Sequence, residues 1–395
     1  MLSRHNMLNS LFWLQDFTGK DQIMKFLILS VTAGQGHHQC ANALSEALLK
    51  KNHETEILDV YKYAFLPFGE TIDKGYLLST KHFSEVYGKF YGLADKYGIG
   101  AGLTKETQKL MYNKVSEYIT EYDPDCIICT HVFPSIMITS AKKHKKISDI
   151  PTIGIITDFT VHPYWQKSKL DAYIVPSELL GYQAAKKKIP EEKLYPLGIP
   201  ISEKFSTSKD KTEARRELGI ADKRTILFMT GSMGFGDVPE ILDKIDSLNE
   251  DFQILCVCGN NKENFKEISA TLFSHDVYPY GFVNNIDVMM DASDFIITKP
   301  GGLSVSESLA KHLPMILVEP IPGQETRNRE FLLNSGLAVA VSHTFSIEEA
   351  VYRLNKNKNI LDAMVNLTKY YAHPDSASDV ADLAIRLGTE RKENI

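Results

Sequence analysis

Twice along this chain a short unbroken apolar run ends in a glycine cluster and opens into a segment of helical period. That repetition limits the possible folds more than any other feature. Residues 26–31 (Phe-Leu-Ile-Leu-Ser-Val) are followed by Thr32-Ala33-Gly34-Gln35-Gly36-His37-His38, then by Ala41, Leu44, Ala47 and Leu48 at helical spacing. Residues 225–229 lead in the same way into Gly231-Ser232-Met233-Gly234-Phe235-Gly236 and a helical stretch at 238–248. An apolar run without alternation suits a strand covered on both faces, as in a parallel sheet. Further strands are expected at 54–60, 125–130, 152–157 and 172–175, then at 253–258, 277–281, 295–298 and 315–318. Strand and helix in alternation predict an α/β fold of two Rossmann-like domains, with parallel sheets facing an interdomain cleft.

The length of 395 residues is too great for one ordinary core and agrees with two domains. The expected division is an N-terminal extension at 1–24, a first domain at 25–203, a second at 204–366 and helices at 367–395 that pack back toward the first. Residues 204–212 are polar and charged and read as the linker. Between the second strand and Asp125 lies a segment longer than an ordinary crossover, with an aromatic tract at 83–103. Packing within its own domain and contact with lipid are both open for that tract.

A net charge of −6 argues against nucleic acid as a partner, because phosphate binding needs a basic surface. Lys142, Lys143, Lys145 and Lys146 form one basic cluster and residues 186–188 another, read as solvated faces or as membrane contacts. Cys126 and Cys129 make a C-x-x-C inside an apolar strand, with no second pair at metal-ligand spacing, and the five cysteines read as buried thiols. No run approaches the ~20 apolar residues of a membrane-spanning helix. Residues 1–24 are too broken for a signal peptide; an interfacial helix and a plain upstream extension remain open.

Glycine loops at strand ends let backbone N–H groups approach a phosphate, and the following helix dipole favours negative charge. Gly34, Gly36, Gly231, Ser232 and Met233 are placed for this. The dinucleotide fingerprint G-x-G-x-x-G fails at Gln39, although Asp59 supplies an acid near the required spacing, so a dinucleotide-binding oxidoreductase stays open as an alternative. More informative is Thr298-Lys299-Pro300-Gly301-Gly302-Leu303-Ser304-Val305-Ser306-Glu307. A strand ends, Pro300-Gly301-Gly302 turns, and a helix begins near Ser304, leaving the N–H groups of Gly302, Leu303 and Ser304 for a pyrophosphate. Glu307, one turn in, is placed to accept both hydroxyls of a ribose, and also to satisfy the helix dipole. Downstream, residues 319–328 (Glu-Pro-Ile-Pro-Gly-Gln-Glu-Thr-Arg-Asn) read as a strand-end loop rich in groups that bind sugar hydroxyls.

In this order the motifs are Ser30-x-x-Ala33-Gly34-Gln35-Gly36-His37, Thr157-Asp158-Phe159 with His162-Pro163-x-Trp165, Gly231-Ser232-Met233-Gly234, Lys299-Pro300-Gly301-Gly302 with Glu307, and Pro322-Gly323-Gln324-Glu325 with Asn328. The chain so described resembles the diacylglycerol glycosyltransferases, including the plant monogalactosyldiacylglycerol synthases. Its second half is also similar to the donor domain of the peptidoglycan lipid-intermediate N-acetylglucosaminyltransferase. The resemblance implies a GT-B fold, a UDP-sugar donor, transfer with inversion to 1,2-diacylglycerol, and no metal. A polyprenyl-linked or other lipid acceptor is the alternative within the same class.

The resemblance places His37 as the base that deprotonates the acceptor, in keeping with the imidazole pKa. Asp158 is expected to assist it, and His162 and Trp165 to lie on the acceptor side. The expected donor site comprises Gly34, Gly36, Gly231, Ser232, Met233, Phe282, Val283, Pro300, Gly301, Gly302, Leu303, Ser304, Glu307, Gln324, Glu325 and Asn328. The first domain is then the acceptor side and the second the donor side. The protein is expected in the cytoplasm, peripheral on the inner face of the cell membrane and in contact with anionic lipid.

Overall fold

The computed structural model describes residues 22–31, 35–65, 105–229 and 237–393. The loop residues Gly34, Gly231, Ser232 and Met233, the stretch 1–21 and the aromatic tract 83–103 lie outside these.

Two parallel six-stranded sheets form the frame. The first contains β1 (Lys25–Ser30), β2 (Glu54–Asp59), β3 (Cys126–Cys129), β4 (Thr152–Ile155), β5 (Ala172–Ile174) and β6 (Leu194–Tyr195), in the order β2-β1-β3-β4-β5-β6. The second contains β7 (Thr225–Met229), β8 (Gln253–Val257), β9 (Asp276–Tyr280), β10 (Phe295–Thr298), β11 (Met315–Leu317) and β12 (Ala338–Ala340), in the order β12-β11-β10-β7-β8-β9. In register, Leu29 of β1 faces Cys129 of β3, and Thr298 of β10 faces Met229 of β7. The central strands β3, β4, β7, β8 and β10 are buried throughout, which is why their sequences show no alternation. Strand β2 alternates because it is an edge. Strands β6 and β12 were not expected; they are short edges with too few residues to show a period. All five cysteines are free and buried.

Five helices position the site, labelled here in chain order: α1 (Gln35–Lys50), α2 (Val132–Lys143), α3 (Gly302–Ala310), α4 (Gln324–Asn334) and α5 (Ser376–Glu393). Helix α1 buries Cys40, Ala41, Ala43, Leu44 and Leu48 on one stripe. Helix α3 starts at Gly302, ahead of Ser304, because Pro300-Gly301 completes the turn from β10. The stretch 319–328 is not a loop to its end. Helix α4 begins at Gln324, after Gly323 in a positive-φ conformation (φ 115°), and the Glu325 carboxylate accepts from Ile321 N at 2.6 Å to close the turn.

One apolar cluster runs through both halves, from Phe26 and Ile28 of β1 through Ile199, Ile201 and Phe205 of the connection to Leu227 and Ile296 of the second sheet. Each such side chain contributes about 1.5–3 kcal/mol by leaving water. Helix α5 returns to the first sheet. Lys392 pairs with Asp125 at 2.9 Å, Arg391 donates to Pro124 O at 3.1 Å, and Gly388 lies against Met24 and the Asp125 carbonyl. Among the described residues no helix is long and apolar enough to cross a membrane.

Candidate active site

The N-termini of α1 and α3 meet across the cleft at the carboxyl ends of the two sheets. A Cβ on Gly36 of α1 would lie 3.9 Å from the Leu303 Cβ of α3. Between them opens a cavity of about 390 Å³, lined from the first half by Gln35, Gly36, His37 and Thr157. From the second half Phe282, Val283, Gly301, Gly302, Leu303, Ser304, Glu307, Gln324 and Glu325 line it. The residue preceding α3 is Gly301, which offers no side-chain cap, so the first-turn N–H groups stay available to an anion.

Three ionisable groups on this wall are perturbed by burial. The Glu307 carboxyl is 9% exposed and is pushed up to about 8 by burial, with only the Lys204 ammonium opposing. Lys204 also lines the cavity, donating to Asn284 O at 2.6 Å. Lys299 is held below its ordinary value by burial, against the pull of Glu325 and Glu319. The Glu325 carboxyl is raised by burial, although the Ile321 N–H and Lys299 favour its charge.

On the opposite wall His37, not its neighbour His38, faces the cavity. Its Nδ1 lies 2.9 Å from the carbonyl oxygen of Thr130, which follows β3, and 3.3 Å from the Thr157 hydroxyl. A carbonyl only accepts, so Nδ1 carries the hydrogen and Nε2 keeps its lone pair. Burial holds His37 below the usual histidine value, while the Thr130 carbonyl works to raise it. The ring meets His131 edge-on, with centroids 4.8 Å apart at 81°. His131 in turn accepts from Phe133 N at 3.1 Å, capping α2, and burial then His37 and His162 keep it neutral far below the ordinary range. Thr130 and His131 were missed by the sequence reading. Their only signal is position, at the carboxyl end of a central parallel strand.

Five expected site residues stand elsewhere. Trp165 is 4% exposed; its indole packs on Gly154, where a Cβ would come within 2.8 Å, and meets Tyr173 edge-on in the first-half core. It is a core residue, not an acceptor-facing one. His162 accepts from Tyr164 N at 3.2 Å and caps the short turn Pro163–Lys167, away from the cavity wall. Asn328 is wholly buried: it accepts from Phe159 N at 2.9 Å and donates to Pro300 O at 3.0 Å and Asp158 Oδ1 at 3.2 Å. Its amide is committed to protein, which corrects its placement among the donor-contacting groups. Pro300 meets Asn328 through its carbonyl and is not part of the cavity wall. Asp158 lies behind the wall, its carboxyl raised to about 6 by burial against the Asn328 hydrogen bond and the Arg327 charge.

Residues 37–201 match the family described as monogalactosyldiacylglycerol (MGDG) synthase, and residues 225–380 match the glycosyltransferase family 28 C-terminal domain. A protein of Bacillus cereus (strain G9842) named processive diacylglycerol β-glucosyltransferase is 30% identical over 372 residues, covering 91% of this chain and 92% of its own. One of the same name from Bacillus pumilus (strain SAFR-032) is 29% identical over 355 residues, covering 86% and 89%. Among solved structures, MurG of Acinetobacter baumannii superposes with a TM-score of 0.62 at 15% identity, covering 92% of this chain and 100% of its own. CalG4, the calicheamicin glycosyltransferase, superposes with a TM-score of 0.61 at 15% identity, covering 92% and 98%. These likenesses make the fold GT-B. The two parallel sheets around one cleft, and relatives matched along nearly the whole chain, place this protein in the diacylglycerol glycosyltransferase family that includes the monogalactosyldiacylglycerol synthases.

Proposed function

We propose that this protein transfers a hexose from UDP-glucose or UDP-galactose to 1,2-diacylglycerol, with inversion, to give a β-glycosyl diacylglycerol. The observation that carries the reading is that an imidazole with a free Nε2 and an uncapped helix N-terminus beside a buried carboxyl share one cavity. The names of the relatives above support the acceptor.

In this reading the first-turn amides of α3 hold the diphosphate and Glu307 accepts from the ribose hydroxyls. Phe282 and Val283 flank the base, and Gln324 and Glu325 meet the hexose. His37 Nε2 takes the proton of the acceptor hydroxyl as its oxygen attacks the anomeric carbon. The bond to the diphosphate oxygen breaks, and UDP leaves with the electron pair into a site of fixed dipoles and the Lys299 charge, which supply stabilisation without a metal. Gly34 and the loop at Gly231, Ser232 and Met233 are assigned to the same diphosphate. The first half serves the acceptor and the second the donor. Access to diacylglycerol implies reversible attachment to the inner face of the cell membrane, with the aromatic tract 83–103 and nearby lysines as the contact.

The test is incubation with each donor and diacylglycerol vesicles, followed by mass analysis of the lipid. A β-hexosyl diacylglycerol with UDP release is expected. Product only with a polyprenyl-linked acceptor replaces the acceptor assignment; no product with any lipid, alongside tight nicotinamide binding, removes the reading.

A further inference from the structure

Three residues of the second half converge on residues 157–159, the loop that follows β4 in the first half. Gly302 packs against the Thr157 carbonyl, Asn328 bonds both Asp158 and Phe159, and the Phe331 ring meets that of Phe159 at a 39° tilt with centroids 5.3 Å apart. Asn328 and Phe331 lie together on α4, whose first turn brings Gln324 and Glu325 to the cavity. Gln324 and Asn328 are four residues apart and share a helix face. The same loop reaches the other way, since the Thr157 hydroxyl is 3.3 Å from His37 Nδ1.

We propose that Asn328 is a positioning residue that couples the two halves: it holds loop 157–159 in place from the donor side and, through Thr157, sets the imidazole of His37. This rests on the reading of His37 as the base. The three bonds that Asn328 makes occupy its carbonyl and both N–H groups, so it has no donor left for a sugar. A hexose held by the first turn of α4 and a loop held by its second turn move as one rigid element. The base is therefore completed only when the halves are closed, which links donor capture to acceptor activation. The charged groups facing Asp158 are Arg327 and Glu325, both on α4, with Lys299 beside Glu325. Asn328 supplies the neutral donor among them.

Asn328→Asp keeps the volume and the bond from Phe159 N but sets a second carboxyl against Asp158. The expected result is UDP-hexose affinity within about twofold of wild type, turnover lowered by at least about tenfold, and the acid limb of the pH profile moved upward, because the added carboxylate favours the His37 imidazolium. Asp158→Asn should remove that upward movement, and the double variant should lose little beyond the larger single loss. Donor affinity falling in step with kcat/KM would make Asn328 a ligand contact and overturn the proposal. A uniform loss at all pH values with additive effects would make it a packing residue and also overturn it. A second readout needs no turnover: hydrogen exchange at Phe159 should accelerate at least about tenfold in Asn328→Ala while β10 stays protected, and unchanged exchange defeats the proposal. Wild-type protein that transfers no hexose to diacylglycerol, with exchange still accelerated in the variant, refutes the proposed function and leaves the clamp standing.

Discussion

Gly302 of α3 lies so close to the carbonyl of Thr157 that a Cβ on it would overlap that oxygen. The glycine is helical, so its role is not a special backbone angle but the approach of the two halves. Neighbouring Gly301, also in the motif, has open space where its Cβ would go.

Gly302→Ala is therefore expected to force the halves apart, costing about 1–3 kcal/mol as overpacking does, and to lower turnover at least about tenfold. Gly301→Ala should leave stability within about 0.5 kcal/mol. Thermal melts of both variants check the contrast; equal losses would tie both glycines to the turn alone.

His37→Ala should lower kcat/KM by about 10²–10⁴-fold while UDP still binds. The base acts when neutral, and burial holds its pKa below the ordinary 6.5. Turnover at saturating UDP-hexose should thus be flat above that value and fall only below it. An acid limb above pH 6.5 in wild-type protein would assign the proton to another group.

Glu307 is pushed up to about 8, so the unliganded protein keeps it protonated at neutral pH. If ribose hydroxyls donate to its carboxylate, UDP binding releases a proton and tightens as pH rises through about 8. Calorimetry in two buffers of different ionisation enthalpy measures that release. The same shift affects stability. Between the unfolded value near 4.5 and about 8 the folded state binds more protons, so this group's contribution becomes less favourable as pH rises. Glu307→Gln should accordingly melt about 2 °C or more above wild type at pH 9, with less gain at pH 5.

Turnover should survive a chelator within about twofold, because the diphosphate is assigned to amide N–H groups and Lys299. A requirement for added divalent cation, measured as UDP release with and without it, would reverse that assignment.

Much of the frame was legible because central parallel strands are apolar throughout and end in glycine turns, as residues 26–31 and 295–298 show. Strands β6 and β12 were not, since two or three edge residues carry no period. The start of α4 was hidden because Pro320, Pro322 and Gly323 read as loop and its polar surface faces the cavity or solvent. Trp165 and Asn328 show the other limit. An aromatic or an amide in a motif looks functional from sequence, but what it touches is set by tertiary packing: Gly154 for one, Asp158, Phe159 and Pro300 for the other.

Helix α5 covers the first sheet yet is encoded roughly 180 residues after the last strand of that sheet. At ribosomal speeds of about 5–20 residues per second, that interval is on the order of 10–40 s. During it, Leu44 and Leu48 of α1 and the amino ends of β1 and β3 wait for Ala381, Ala384 and Gly388 to arrive. The half that carries His37 is thus the first to emerge and among the last to be finished. A nascent chain stalled before Ser376 should present a protease- and chaperone-sensitive first half beside a second sheet that is already complete.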